Sequence, residues 1–138
     1  MDVEEEFRPG EETLVQSDSP DRLYSVFFED DGETGYFYAL NPSRSPDMIL
    51  DAVQIYNVKN IADRDRTSVV SIRWALEGHK CALLINGYAH AAFDFVAKRG
   101  YCRTNFPRFS DPADGSWLKS NHEWTDEAVS WLSTDQTN

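Results

Sequence analysis

The chain has 138 residues, 41% hydrophobic and 13% aromatic, with 13 Lys plus Arg against 24 Asp plus Glu and a formal net charge of -11. That is enough apolar material for one core of ordinary domain size, so global disorder is excluded, and 7 Gly with 6 Pro exclude a collagen-like or low-complexity chain. No apolar run approaches the roughly 18–20 residues that span a bilayer, and the acidic start Met1-Asp2-Val3-Glu4-Glu5-Glu6 has the wrong sign for a targeting segment, so a cytoplasmic protein with no membrane contact is expected.

Residues 1–11 are polar, with Pro9-Gly10 as a breaker, and predict a flexible acidic tail; 12–132 predict a single β-rich domain, and 133–138 a second flexible tail. Glu12 to Gln16 and Leu23 to Glu29 are short runs of strand formers separated by the turn cluster Ser17-Asp18-Ser19-Pro20-Asp21. Asp30 to Gly35 then turns the chain into Tyr36-Phe37-Tyr38-Ala39-Leu40, the pattern of a hairpin. Residues 46–58 fit two periods: Ser45-Pro46 opens a helix with Ile49, Ala52, Val53 and Tyr56 on one face, while Val53, Ile55, Tyr56 and Val58 are strand formers. The strand is the preferred reading.

Val70, Ile72, Trp74 and Leu76 alternate with smaller or polar residues. A two-residue turn at Gly78-His79 would set Glu77 against Lys80, and Leu76, Trp74 and Ile72 against Cys81, Leu83 and Ile85. Cys81 to Ile85 is apolar on both faces, the mark of a central strand. Asn86-Gly87, the preferred type I′ pair, sends the chain back through Tyr88 to Ala97. At the C-terminal end Thr125 or Asp126 caps a helix of two to three turns with Ala128, Trp131 and Leu132 as its apolar stripe. The expected fold is mainly β (a β-rich α+β arrangement): an antiparallel sheet of about six to seven strands, curled or sandwich-like, with one C-terminal helix.

Charge is unevenly spread. Met1 to Gly35 has twelve acidic residues against Arg8 and Arg22, whereas Lys59 to Arg108 has nine basic against four acidic. The acidic ends are expected to fold back over the basic middle and partly neutralise it. Cys81 and Cys102 lack any CxxC or Cys/His spacing, so two free thiols are expected in a reducing compartment, a disulfide remaining open until their separation is known.

Motifs for chemistry are sparse. His79, His90 and His122 show no metal-ligand spacing, and Asp30-Asp31-Gly32-Glu33 lacks that of a calcium loop, so no metal is expected. There is no phosphate-binding glycine loop and no G-x-S-x-G, so neither a cofactor nor a catalytic residue is assigned, and the balance leans away from an enzyme without deciding it. His90 lies on a strand among alanines. Cys102 lies among Lys98, Arg99 and Arg103, cations that lower a thiol pKa if they face it, although a buried structural cysteine is the preferred reading. With Asp94 these two define a candidate reactive group or pocket. The strongest composition signal is Lys98 to Phe109, where Lys98, Arg99, Arg103 and Arg108 interleave with Tyr101 and Phe106. Such a strip suits a single-stranded nucleic acid or a protein hot spot. The charge of -11 argues against nucleic acid and leaves a protein partner, or pairing with the chain's own acidic N-terminal segment.

Leu50-Asp51-Ala52-Val53-Gln54-Ile55-Tyr56-Asn57-Val58, Leu84-Ile85-Asn86-Gly87-Tyr88, Phe93-Asp94-Phe95 and Arg99-Gly100-Tyr101-Cys102-Arg103 together resemble a small family of uncharacterised bacterial proteins, a domain of unknown function. The resemblance runs from about Phe7 to Trp131. It implies a bacterial, cytoplasmic, single-domain protein without an established activity, and it brings no functional residues with it. The expectation is a non-enzymatic binding module acting through the basic-aromatic surface Lys98, Arg99, Tyr101, Arg103, Phe106 and Arg108. Two alternatives stand beside it: an immunity-type inhibitor of a secreted toxin, whose acidic charge would speed the encounter, and a small-ligand binder or enzyme with its site near His90 and Cys102. A homodimer through an exposed strand edge also remains open.

Overall fold

The computed structural model describes residues 2–44, 46, 48–62, 65–106, 117 and 122–135. Nine strands run through the described residues: β1 (Val3–Phe7), β2 (Thr13–Asp18), β3 (Ser25–Asp30), β4 (Thr34–Leu40), β5 (Ile49–Asn57), β6 (Ser68–Trp74), β7 (Lys80–Ile85), β8 (Tyr88–Asp94) and β9 (Arg99–Cys102). They form two antiparallel sheets, one ordered β1-β6-β7-β8-β9 and the other β2-β3-β4-β5. The mainly β, sandwich-like fold with a short C-terminal helix is therefore as expected, with its strands divided between two sheets.

Period two explains the layering, because alternate side chains of a strand reach opposite faces. Val26 and Phe28 of β3, Phe37 and Ala39 of β4, and Val53 of β5 are buried, as are Val70 and Ile72 of β6, Cys81 and Leu83 of β7, and Ala91 and Phe93 of β8. These two sets share one core cluster. Phe37 and Phe93 stack across it with centroids 4.9 Å apart; burying each ring contributes about 1.5–3 kcal/mol. The indole N–H of Trp74 on β6 donates to the Ser17 hydroxyl of β2 at 2.9 Å, a buried polar stitch between the sheets. Trp117 closes the core edge-on against Phe93 and Phe95.

Within the ambiguous stretch 46–58 the strand β5 covers Ile49–Asn57, as preferred, and Asp47 lies outside the described residues. Tyr36 pairs with Gln54 and Gly35 with Tyr56, so Ile55 is skipped; Ala39 pairs with Asp51 and Leu40 with Ile49, so Leu50 is skipped. The two bulges interrupt the pairing, but Asp51, Val53 and Ile55 stay buried in alternation, while Ile49 of the helical stripe is exposed. Between the bulges the register is regular, so Asp51 shares the inward face of Val53 opposite the buried Ala39 and is itself buried. Tyr56 lies over its partner Gly35, where a methyl group would come within 2.6 Å of the ring. Only glycine fits beneath that ring.

Three expectations need correction. Residues 3–7 are not part of a loose tail: β1 pairs antiparallel with β6, Glu5 opposite Val70. The backbone ladder holds it, and Phe7 reaches the core, stacking edge-on with Phe28 at 5.2 Å. The turn between β6 and β7 is four residues, not two. Gly78 N–H donates to Ala75 O at 2.8 Å with Gly78 at φ 84, so Trp74 pairs with Cys81 and Ile72 with Leu83. The register moves by two, which keeps every side chain on its face and puts Leu76 in solvent at 81% exposure. The C-terminal helix is shorter than drawn. Thr125 caps it, accepting from Glu127 N–H at 3.4 Å, but Asp126–Val129 form a 3₁₀ turn before the single-turn helix α1 (Trp131–Asp135). Asn86-Gly87 forms the tight turn expected of it, with φ 52 and 80, and β7 is the central strand of its sheet.

Candidate functional site

The strand β9 forms one edge of the five-stranded sheet. Gly100 and Cys102 face inward and are buried, and Arg99 and Tyr101 take the outer face with Arg103 just beyond the strand end. The Arg99 guanidinium lies 5.1 Å from the Tyr101 ring centroid. Ala91 pairs with Cys102, so Arg103 follows beside His90, and its N–H donates to His90 O at 3.1 Å. This register carries the Arg103 side chain between two aromatic rings, with its guanidinium carbon 4.2 Å from the Tyr88 centroid and 4.2 Å from that of Trp124. Arg103 Nε donates to Ala89 O at 2.6 Å. Each cation–π contact contributes about 0.5–2 kcal/mol according to its exposure, and the Nε bond fixes the plane of the fork.

Trp124 is positioned in turn by Asn105, whose side-chain carbonyl accepts from Trp124 N–H at 3.1 Å, and by Asp126, which accepts from its indole at 2.9 Å. Asn105 has φ 57, a left-handed conformation that asparagine tolerates. Beyond it Phe106 is 50% exposed while its carbonyl accepts from Gln54 N–H of β5 at 3.0 Å. Tyr88 is 54% exposed. The result is a pre-set arginine fork held between the exposed Tyr88 and the half-buried Trp124.

Of the predicted strip, Arg99 and Tyr101 thus share the outer face of β9 with Arg103 just beyond its end, while Phe106 lies further on, hydrogen-bonded through its carbonyl to β5. Lys98 sits in the preceding turn with φ 57, exposed, and Arg108 lies outside the described residues. Among the described residues neither Arg99 nor Arg103 meets a carboxylate. The proposed pairing with the acidic N-terminal segment does not occur with β1, because β1 and β9 are opposite edges of one sheet. Four strand spacings, about 19 Å, separate them.

The residues His90, Cys102 and Asp94 do not converge. Asp94 terminates β8 and accepts from Val96 N–H at 3.0 Å and Ala97 N–H at 2.9 Å, fixing the β8–β9 turn; it lies about 13 Å along the strand from His90. Cys102 points into the core, where its thiol donates to Gln54 O at 3.1 Å beside the Thr104 hydroxyl. Burial pushes that thiol pKa up, so the nearby cations do not make it a thiolate. Both cysteines are free and buried. His90 is the residue skipped where β7–β8 pairing shifts from Leu83–Ala91 to Leu84–Ala89. Burial, and secondarily the charge of Arg103, lower its pKa from 6.5, leaving it neutral at pH 7.

One buried pair was not foreseen. His122 Nε2 lies 2.9 and 3.0 Å from the two carboxylate oxygens of Asp51, with the histidine 1% and the aspartate 6% exposed. His122 O accepts from Cys102 N–H at 3.0 Å, tying the segment to the open side of β9. A methyl group on Gly100 would collide with the Asp51 carboxylate and come within 2.9 Å of the Phe93 ring. In the sequence 71 residues separate the partners, and the sole hint was a histidine just before a helix cap.

Among the described residues no helix is long and apolar enough to cross a membrane. No solved structure matches the chain. An uncharacterized protein of Haemophilus influenzae (strain KW20) is 42% identical over 85 residues, covering 62% of this chain and 53% of that protein, so the match spans about half of the relative's length. Residues 7–133 match the family described as an uncharacterized protein conserved in bacteria (DUF2251), and the chain belongs to that family.

Proposed function

We propose that the protein is a non-enzymatic binding module that engages a carboxylate-bearing site on a partner protein through Arg103 and the aromatic side chains around it. The observation that carries this reading is the Arg103 guanidinium held between Tyr88 and Trp124 at 4.2 Å each, with Nε already bonded to Ala89 O. Its terminal nitrogens have no hydrogen bond among the described residues, and a planar fork fixed in advance forms a bidentate carboxylate bond with little loss of side-chain freedom. Exposed Tyr88 and Phe106 add the aromatic contact area typical of interface hot spots. The charge of -11 opposes approach to nucleic-acid phosphates.

The test is affinity capture from a lysate of the organism that carries the chain, with an Arg99→Glu, Arg103→Glu variant in parallel and both proteins verified as folded by circular dichroism. The expected result is a protein enriched by the native chain and lost with the variant. Equal capture by both forms would move binding off this surface. A basic, toxin-like protein that survives the charge reversal would assign it to the acidic surface instead.

A further inference from the structure

Beyond the surface fork, a cleft of about 540 Å³ opens at the end of the sandwich where β1 leaves its sheet and the chain crosses from β5 to β6. That volume is in the range that holds small ligands. Phe7, Tyr56 and Ile85 line it from three strands or their ends, with Arg66, Ser68 and His90 among its polar groups. We infer that this cleft binds a small organic anion, a compact apolar body carrying one carboxylate or comparable anionic group.

Three observations carry the inference. Among the described residues the lining contains an arginine and no carboxylate, a departure in a chain with 24 acidic residues; four other grooves on the surface are each lined by at least one Asp or Glu. The one nearby buried carboxylate, Asp30, is already engaged by Gly10 N–H and Gly32 N–H at 2.8 Å and by the Tyr56 hydroxyl at 2.6 Å, so it does not compete for Arg66. His90 is neutral and partly buried, and its ring makes no hydrogen bond among the described residues. A neutral imidazole offers one donor and one acceptor, which suits an anion's oxygen and a neighbouring hydroxyl. Arg66 itself is exposed and has no carboxylate partner among the described residues. The apolar walls would bury the ligand body while the arginine meets its charge at the rim.

The cleft adjoins the Arg103 fork through His90, whose carbonyl accepts from Arg103 N–H and whose ring meets Tyr88 edge-on, but Arg66 is no part of the fork, so Arg66→Gln tests the cleft and Arg103→Glu the fork. The experiment is a titration of the ¹⁵N-labelled chain with benzoate, 4-phenylbutyrate and octanoate, each run against its neutral amide, and repeated on Arg66→Gln. Arg66 is exposed, so that variant keeps the fold. The expected result is saturable shifts of the Ser68, Asn86 and His90 amides with at least one anion, with affinity about tenfold weaker for the amide and for the variant. Absence of saturable shifts at these residues for all three anions would overturn the inference. Equal binding of the amide, or unchanged binding by Arg66→Gln, would do the same.

Discussion

Replacing His122 by alanine leaves the Asp51 carboxylate inside the sandwich with no other side-chain donor among the described residues. With Asp51 6% exposed and Gly100 packed against it, water has little access. Breaking a buried pair from one side costs about 3–5 kcal/mol. With a urea m-value of about 2 kcal/mol/M, that lowers the unfolding midpoint by about 1.5–2.5 M. Asp51→Ala removes the other half and should also destabilise the fold, because the buried His122 ring then has lost its acceptor. The decisive quantity is the double variant. If the two side chains act as one unit, its cost should fall short of the sum of the single costs by more than about 1.5 kcal/mol. Urea unfolding followed by tryptophan fluorescence measures all three. Additive single costs, or a midpoint for His122→Ala within the error of the native chain, would refute the view that this pair holds the segment before α1 onto the sandwich.

Gly35→Ala should cost about 1–3 kcal/mol by driving a methyl into the Tyr56 ring, whereas Gly87→Ala, with open space around it but φ 80, should cost about 1 kcal/mol from backbone strain alone; thermal unfolding of the two variants compares them. Cys102 should react with iodoacetamide more slowly than free cysteine at neutral pH, since burial raises its pKa and depletes the thiolate; mass spectrometry of labelled folded protein gives the rate, and one equal to free cysteine contradicts the burial. His90 should titrate below 6.5 by proton NMR. Because its folded pKa is depressed, the unfolded chain binds the proton more readily, so its contribution to stability is present above 6.5 and is lost as pH falls through the lower folded pKa. A His90→Gln variant should show a flatter stability profile over that interval, and an unchanged profile would contradict it.

Local chemistry was the most legible part of the sequence. Asn86-Gly87 announced its own turn because both positions need positive φ, and the doubly apolar Cys81 to Ile85 announced a central strand because both of its faces are covered. The β6–β7 register was missed because Gly78 supplies left-handed backbone at the end of a four-residue turn as readily as at the start of a shorter one. β1 was hidden by composition: three of its five residues are glutamates, and its place in the sheet comes from main-chain pairing that side chains do not advertise. The site divided in the same way. A basic-aromatic strip could be read from the order of residues 98–106, but the seating of Arg103 between Tyr88 and Trp124 depends on a strand pairing and a distant loop. The Asp51–His122 pair had no local signature: alternation with Val53 and Ile55 turns Asp51 inward, but its partner comes from a segment 71 positions away.

The glutamates of β1 also bear on how copies of this chain meet. An outermost strand has unused N–H and C=O groups that invite a second copy to extend the sheet. On β1 that invitation comes with Glu4, Glu5 and Glu6 in solvent, and an antiparallel approach of two copies along this edge would set one trio of negative side chains against another. Like charges facing each other across strands destabilise the pairing, and the repulsion is strongest in dilute salt. The far edge of the same sheet is shielded differently, by the parallel bridge of Cys102 with Glu123. The carboxylates that look like a tail in the sequence therefore act as a fence, keeping a sheet with an open side from growing into its neighbour.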